Sequence, residues 1–323
     1  MAIKALTWMV RAFEGPVYCY HEIVHNQSVV KRFEDLGVVF VDDVSEVPAG
    51  SPLMLSAHGS APEVVAAAKA NGGYVVDAVC PLVTKVHHEV KVRAKKGYQI
   101  VYVGHEGHEE AVGTMAVAPE SIHRVESTEE VEALPDFDGP VAMLAQTTLS
   151  HTDWKDVLEA TKNRYEDLWT PGRSDLCFAT TNRQGALAQI APRCDAVVVI
   201  GSANSSNTVA LAKVARESGT PRVLRINSAG ELPDDLSGIV GVTAGASAPE
   251  SLVEEVLEAL APINGVEEVA MTEEDEYFPT PRNLRDLLTG IDVLATLTLG
   301  GSVPDRPAAN ERTIHAAEAL ASL

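Results

Sequence analysis

The chain has 323 residues, enough for two or three compact domains with buried cores, and its 46% hydrophobic and 22% charged residues describe a soluble globular protein. The 46 acidic against 25 basic side chains give a formal charge of -21, a surface that repels phosphate backbones and argues against a nucleic-acid partner, while small anions answer to local groups. Four cysteines make no disulfide framework, no apolar run approaches the roughly 20 residues of a membrane span, and the opening MAIKALTWMVRAF lacks a signal-peptide cleavage site, so a cytoplasmic protein without a membrane partner is expected.

Along the chain a short apolar run repeatedly ends in a polar or small residue and a helical pattern follows. The runs are PVYCYHEIVHN (16–26), PLMLSAHGS (52–60), GYVVDAVCP (73–81), YQIVYVGHEGHEE (98–110), PVAMLAQTTLS (140–150), DLCFATTNRQ (175–184), DAVVVIGSANSSN (195–207) and GIVGVTAGAS (238–247). Their Val- and Ile-rich cores read as buried parallel strands, each feeding a helix, which makes an α/β protein with sheets covered on both faces. Breaks near 80–81 and 172–176 divide the chain into domains at 1–80, 81–174 and 175–262. A tail, 263–323, carries the acidic TEEDEY and then a strand, Gly/Pro loop and helix read from GIDVLATLTLGGSVPDRPAANERTIHAAEALASL.

The residues closing the runs are His25, His58, Cys80, His108, Thr147, Cys177, Ser205 with Ser206 and Asn207, and Ser247. Open parallel sheets bind ligands outside the carboxyl ends of their strands, so these side chains suggest one polar site. Ser and Thr are common helix N-caps in any case; His and Cys are not favoured there. The turn Asn204–Asn207 opens a helix whose free N–H groups and dipole suit an anion, and TAGASAPE (243–250) repeats the arrangement. With His25 and His58 these turns suit a phosphate or diphosphate.

GHEGHEE (104–110) places His108 and Glu110 near a helix start. Glu110 reads as a carboxyl group able to hold a proton for delivery; a solvated cap glutamate and a zinc site using His105, His108 and a carboxylate are the other readings, the latter without a clear third ligand. Cys80 and Cys177 stand at run ends, where metal or cluster ligation is favoured over a nucleophile. Cys19 and Cys194 stand near run beginnings, about 20 Å from the polar end at 3.3 Å per extended residue, and read as structural thiols.

Together HEIVHNQSVV, SAHGSAPEV, DAVCPLVTKVH, GHEGHEE, QTTLS, CFATTNRQ, GSANSSNTVAL and TAGASAPE resemble, in order and over residues 5 to about 285, the 4-hydroxy-3-methylbut-2-enyl diphosphate reductases, the LytB family of the methylerythritol phosphate pathway. The resemblance implies three similar α/β domains in a trefoil around a central site, each with a mainly parallel sheet. It implies a 4Fe–4S cluster with Cys80 and Cys177 as ligands. His25, His58, His108, Ser205, Ser206, Asn207 and Ser247 would hold an allylic diphosphate, with Thr147 near its hydroxyl and Glu110 as the acid of the proton relay. The implied reaction removes the allylic hydroxyl with two electrons and two protons, supplied through a carrier such as ferredoxin or flavodoxin, and gives isopentenyl and dimethylallyl diphosphate.

Family members begin with a strand and a loop bearing the first cluster cysteine, whereas this chain opens on the helix that follows, so a third cysteine ligand is not found in it. Three expectations compete: a longer true protein with a misassigned start, a C-terminal unit (291–323) filling the vacant strand position, or a diverged paralogue whose cluster is weak or absent. Against the reductase stand a non-catalytic diphosphate-binding protein and a zinc hydrolase.

Overall fold

Alternating residues of the Val/Ile runs face opposite sides of each strand, and in the computed structural model those strands build three parallel sheets. The structure describes residues 1–272, 277–300 and 316–321. They form two compact units, one from residues 1–24, 29–81 and the described residues beyond 276, the other from residues 25–28 and 82–272.

The first unit opens with helix α1 (Ala2–Ala12), followed by β1 (Tyr18–Tyr20), α2 (Gln27–Asp35, whose first two residues fall in the second unit), β2 (Val39–Val41), β3 (Leu53–Leu55), α3 (Pro62–Ala70) and β4 (Val75–Asp77). Its sheet order is β2-β1-β3-β4. Leu6 and Met9 of α1, Phe33 of α2, Met54 of β3 and Val76 of β4 are buried in one core. Cys19 is wholly buried among them.

The second unit runs through α4 (Pro81–Lys95, entering from the first unit at Pro81), β5 (Gln99–Val103), α5 (Glu109–Met115), β6 (Ile122–Val125), α6 (Thr128–Glu132), β7 (Val141–Ala145), α7 (His151–Arg164) and β8 (Leu168–Trp169). It continues with α8 (Phe178–Ile190), β9 (Ala196–Ile200), α9 (Ser206–Glu217), β10 (Arg222–Ile226), β11 (Val240–Ala244) and α10 (Glu250–Leu260). Sheet orders are β6-β5-β7-β8 and β10-β9-β11, with every pair parallel. Val101 and Val103 enter one core with Val157 of α7, while Ile100 and Tyr102 enter the opposite one with Val86 and Val90 of α4. Val197 and Val199 likewise meet Leu211 of α9, and Val198 and Ile200 meet Val256 of α10.

Each sheet order contains one point where successive connections leave in opposite directions: between β1 and β3, β5 and β7, and β9 and β11. The turns after β5 and β7 and the helix starts they lead into carry His108 with Glu110 and Thr147, and those after β9 and β11 carry Ser205–Asn207 and Ser247. Topological switch points are where open α/β sheets bind ligands.

Several expectations are corrected. Residues 175–184 hold no strand: 175–177 are non-regular and α8 starts at Phe178. The run 16–26 is extended only over Tyr18–Tyr20, so His25 follows a turn rather than ending a long strand, and the extended distance from Cys19 to it does not apply. The strand read from GIDVLATLTL is helical, part of α11 (Arg282–Leu299), with α12 (Ala316–Ala321) after it. The Gly/Pro loop at 301–315 and residues 273–276 of the acidic stretch lie outside the described residues. No C-terminal strand fills a place in the first sheet among the described residues.

The C-terminal helices pack on the first unit's core: Leu284, Leu288 and Leu320 join the cluster around Leu6 and Phe33. Asn283 ties α11 to β4, accepting the Tyr74 hydroxyl at its carbonyl (2.6 Å) and donating Nδ2 to the Val75 carbonyl (2.6 Å). Leu284→Ala, at a fully buried position, is expected to destabilise the protein by about 2–5 kcal/mol in denaturant unfolding. A loss below about 0.5 kcal/mol would place α11 off this core.

Candidate functional site

Glu110 lies one residue inside α5 and is buried at 2% exposure, with both carboxyl oxygens engaged by Thr147. The Thr147 N–H donates to Oε1 at 2.7 Å and its hydroxyl to Oε2 at 2.9 Å. Burial raises the Glu110 pKa to about 7; the Thr147 hydrogen bonds oppose that shift and the nearby Asp175 charge adds to it. A carboxyl group poised there holds a proton near neutral pH and can release it. The Thr147 carbonyl accepts the Cys177 N–H at 2.8 Å, which fastens the start of α8 to the end of β7.

His108 caps α5, its Nδ1 accepting the Glu110 N–H at 3.1 Å. Histidine therefore does serve as a cap here, contrary to the expectation from cap preferences. With Nδ1 an acceptor, the proton of the neutral ring sits on Nε2, which becomes a donor. The His25 ring stands edge-on to His108, centroids 5.6 Å apart. Asn204 Nδ2 is 3.5 Å from His25 Nδ1, and the Ser247 hydroxyl donates to the His25 carbonyl at 3.2 Å.

The helix expected after the turn at 204–207 forms as α9. Ser205 is the N-cap of α9, its Oγ accepting the Thr208 N–H at 3.4 Å, and Ser206, Asn207 and Thr208 are buried behind it. Neither Asn207 side-chain atom has a hydrogen-bond partner among the described residues, which is rare for a buried amide. Thr208 packs between the ends of β9 and β11: a Cβ at Gly201 (φ +146°) or at Gly245 would come within 2.5 Å of its Oγ1. Gly245→Ala is expected to push the two turns apart, costing about 1–3 kcal/mol in stability and weakening pyrophosphate binding. Melting and binding unchanged from the parent would show that this contact relaxes freely.

The second unit thus brings together His25, His108, Glu110, Thr147, Cys177, Ser205, Ser206, Asn207 and Ser247; His58 and Cys80 belong to the first unit. His58 lies in the turn between β3 and α3, and the Cys80 N–H donates to the Ala57 carbonyl at 3.0 Å. Two participants went unread in the sequence. Gln146 adjoins Thr147 in QTTLS, and its position at a strand end was the available signal. Asp175, buried, accepts the Ala145 N–H and pairs with Lys85 at 3.2 Å, links across residues too distant in sequence to suggest them. Among the described residues His105 and His108 join no set of three donors close enough for one metal ion, which removes the zinc reading.

The model of the LytB protein family matches residues 1–261. The chain belongs to the LytB family. It is 44% identical to 4-hydroxy-3-methylbut-2-enyl diphosphate reductase of Rhodopirellula baltica over 291 residues, 88% of this chain and 91% of that one. It is 43% identical to the reductase of the same name from Leifsonia xyli subsp. xyli over 295 residues, 90% and 88% of the two chains. The solved structure of E-1-hydroxy-2-methyl-but-2-enyl-4-diphosphate reductase from Plasmodium falciparum matches with a TM-score of 0.86 at 31% identity, covering 90% of this chain and 93% of that one.

The thiols of this LytB chain fall into two classes. Cys19 and Cys194 are buried among core side chains, the latter donating to the Ile190 carbonyl at 3.3 Å. Cys80 and Cys177 are half-buried, each immediately before a helix, and none of the four forms a disulfide. Burial pushes the Cys177 thiol pKa up, while the Thr180 and Ala179 N–H groups and Arg183 favour its thiolate. No described helix is long and apolar enough to cross a membrane.

Proposed function

We propose that this chain is an iron–sulfur reductase that converts 4-hydroxy-3-methylbut-2-enyl diphosphate to isopentenyl and dimethylallyl diphosphate, consuming two electrons and two protons and releasing water. The observation that carries the reading is the connected set His108–Glu110–Thr147–Cys177: a buried acid near neutral pKa, tied through one threonine to the backbone of a helix-start cysteine. The relatives at 43–44% identity bear the reductase name, which favours it over a non-catalytic diphosphate-binding protein.

Cys80 and Cys177 fit a cluster's demand for accessible thiolates, and the core-bound Cys19 and Cys194 do not, so this chain offers two cysteine ligands. Bound there, a 4Fe–4S cluster would supply electrons and a Lewis-acidic iron for the hydroxyl oxygen. The start of α9, with Ser205, Ser206 and Asn207, holds the diphosphate against its N–H groups and dipole, and Ser247, His25 and His108 add donors. The Thr147 hydroxyl hydrogen-bonds the substrate oxygen. Once Glu110 is protonated the 2.9 Å bond runs in reverse, from the carboxyl O–H to Thr147 Oγ1, and the threonine hydrogen turns to the substrate oxygen. The Glu110 proton then passes to Oγ1 as the threonine gives its own hydrogen to the departing oxygen, which leaves as water. A small one-electron carrier, of the ferredoxin or flavodoxin kind, delivers the electrons.

Iron and sulfide analysis after anaerobic purification tests the cofactor assignment. About four of each per chain is the expected result, and none after reconstitution would leave the diphosphate site without its redox group.

A further inference from the structure

His105 and Gln146 have no part in the chemistry above, yet their inner polar atoms converge on Ser206. Gln146 is fully buried. Its Oε1 accepts the His105 backbone N–H at 2.9 Å, and its Nε2 donates to Thr148 Oγ1 at 2.9 Å and to Ser206 Oγ at 3.2 Å. The carboxamide thus has one orientation, since exchanging its oxygen and nitrogen would set an NH2 against the His105 N–H. Ser206 Oγ has two further neighbours, His105 Nδ1 at 3.3 Å and the Thr148 carbonyl oxygen at 3.4 Å.

A hydroxyl offers one hydrogen and two lone pairs. Gln146 fills one lone pair of Ser206 Oγ. The His105 tautomer with hydrogen on Nδ1 fills the other, and the single hydrogen of Ser206 then has two destinations, the Thr148 carbonyl and an anion at the start of α9. The carbonyl is at the long end for an O–H donor, so a charged acceptor at ordinary distance outcompetes it.

We propose that His105 and Gln146 are positioning residues that occupy the lone pairs of Ser206 Oγ and so aim its hydrogen at the substrate's diphosphate. The inference deepens the reading of α9 as the diphosphate site and rests on it. Neither residue touches the diphosphate; both act through Ser206.

A double-mutant cycle with inorganic pyrophosphate as the probe, read by calorimetry on the iron-loaded protein, tests this. Ser206→Ala is expected to weaken pyrophosphate binding about tenfold or more, as for one lost hydrogen bond to a charged group. His105→Ala is expected to weaken it about three- to tenfold when Ser206 is present and not at all when residue 206 is alanine. His105→Asn, which returns an N–H near the Nδ1 position, is expected to recover most of that loss, and KM for the allylic diphosphate is expected to follow the same factors. Gln146→Met keeps the chain length, removes the amide and should follow the same pattern; should it not fold, His105→Ala decides the matter, because the His105 backbone N–H stays intact. Losses that multiply in full between positions 105 and 206 would overturn the proposal by making His105 a direct ligand. An unchanged affinity in His105→Ala would overturn it as well. Failure of the unmutated protein to bind pyrophosphate would instead bring down the diphosphate reading, and this inference with it.

Discussion

Glu110→Gln is expected to lower turnover by about 10²- to 10⁴-fold, the range for loss of a positioned general acid. The replacement keeps the shape: its carbonyl oxygen accepts the Thr147 N–H, and its NH2 donates to a Thr147 hydroxyl turned to receive it. It removes the proton that titrates near 7. In the parent protein activity should fall as pH rises through about 7, where Glu110 loses that proton, and this limb should vanish from the residual activity of the variant. Stability carries an independent signature. Burial raises the folded pKa above the ordinary carboxyl value of 4.5, so the folded state binds the proton more tightly than the unfolded chain. Below about 4.5 both states are protonated and ionisation costs nothing; above about 7 both are ionised and the folded state bears the full penalty. The variant should therefore gain on the parent between those values, by up to about 3 kcal/mol from a shift of roughly two and a half pH units. Parallel unfolding curves at pH 5 and 8 read this difference, and a gap that does not widen with pH would show that Glu110 is not a buried carboxyl with a raised pKa.

Cys177→Ser and Cys80→Ser should each abolish reductive turnover and sharply reduce bound iron, because serine keeps the hydrogen-bonding geometry but loses the soft thiolate that iron–sulfur clusters require. Cys194→Ala is the control: its sulfur lies against the Ile190 carbonyl in a core and should leave the iron content unchanged. Iron retained in Cys177→Ser at the parent level would exclude that thiol as a ligand, whatever happened to activity.

The central strands were legible because their chemistry is unambiguous. AVVVI (196–200) and QIVYV (99–103) are continuous apolar runs that only buried strands or core helices tolerate, and their length favours strands. The strands that escaped reading are β2, β6, β8 and β10, all at sheet edges. Edge positions accept the arginines of RVLRI and the polar pair of IHRV, which erases the apolar signal. Two readings failed in the opposite direction. LCFA looks like a short strand, but Asp175 spends its side chain on the Ala145 N–H and α8 starts at once. In GIDVLATLTL the β-branched residues suggested a strand, whereas Leu284 and Leu288 set a helical spacing that carries into it.

The site divides the same way. Residues at strand ends could be found because parallel sheets place ligands there. Their partnerships could not: the Gln146–Ser206 and Glu110–Thr147 pairs join residues 60 and 37 positions apart, and no local pattern encodes them. The N-cap role of His108 ran against residue preference and was visible only in the geometry.

The claim on which all of this depends is that these strand-end groups perform a reductive dehydroxylation. Iron-loaded protein, incubated anaerobically with 4-hydroxy-3-methylbut-2-enyl diphosphate and a low-potential electron carrier, is expected to yield isopentenyl and dimethylallyl diphosphate with two electrons consumed per molecule. Substrate recovered intact from protein that holds its cluster and binds pyrophosphate would contradict the account.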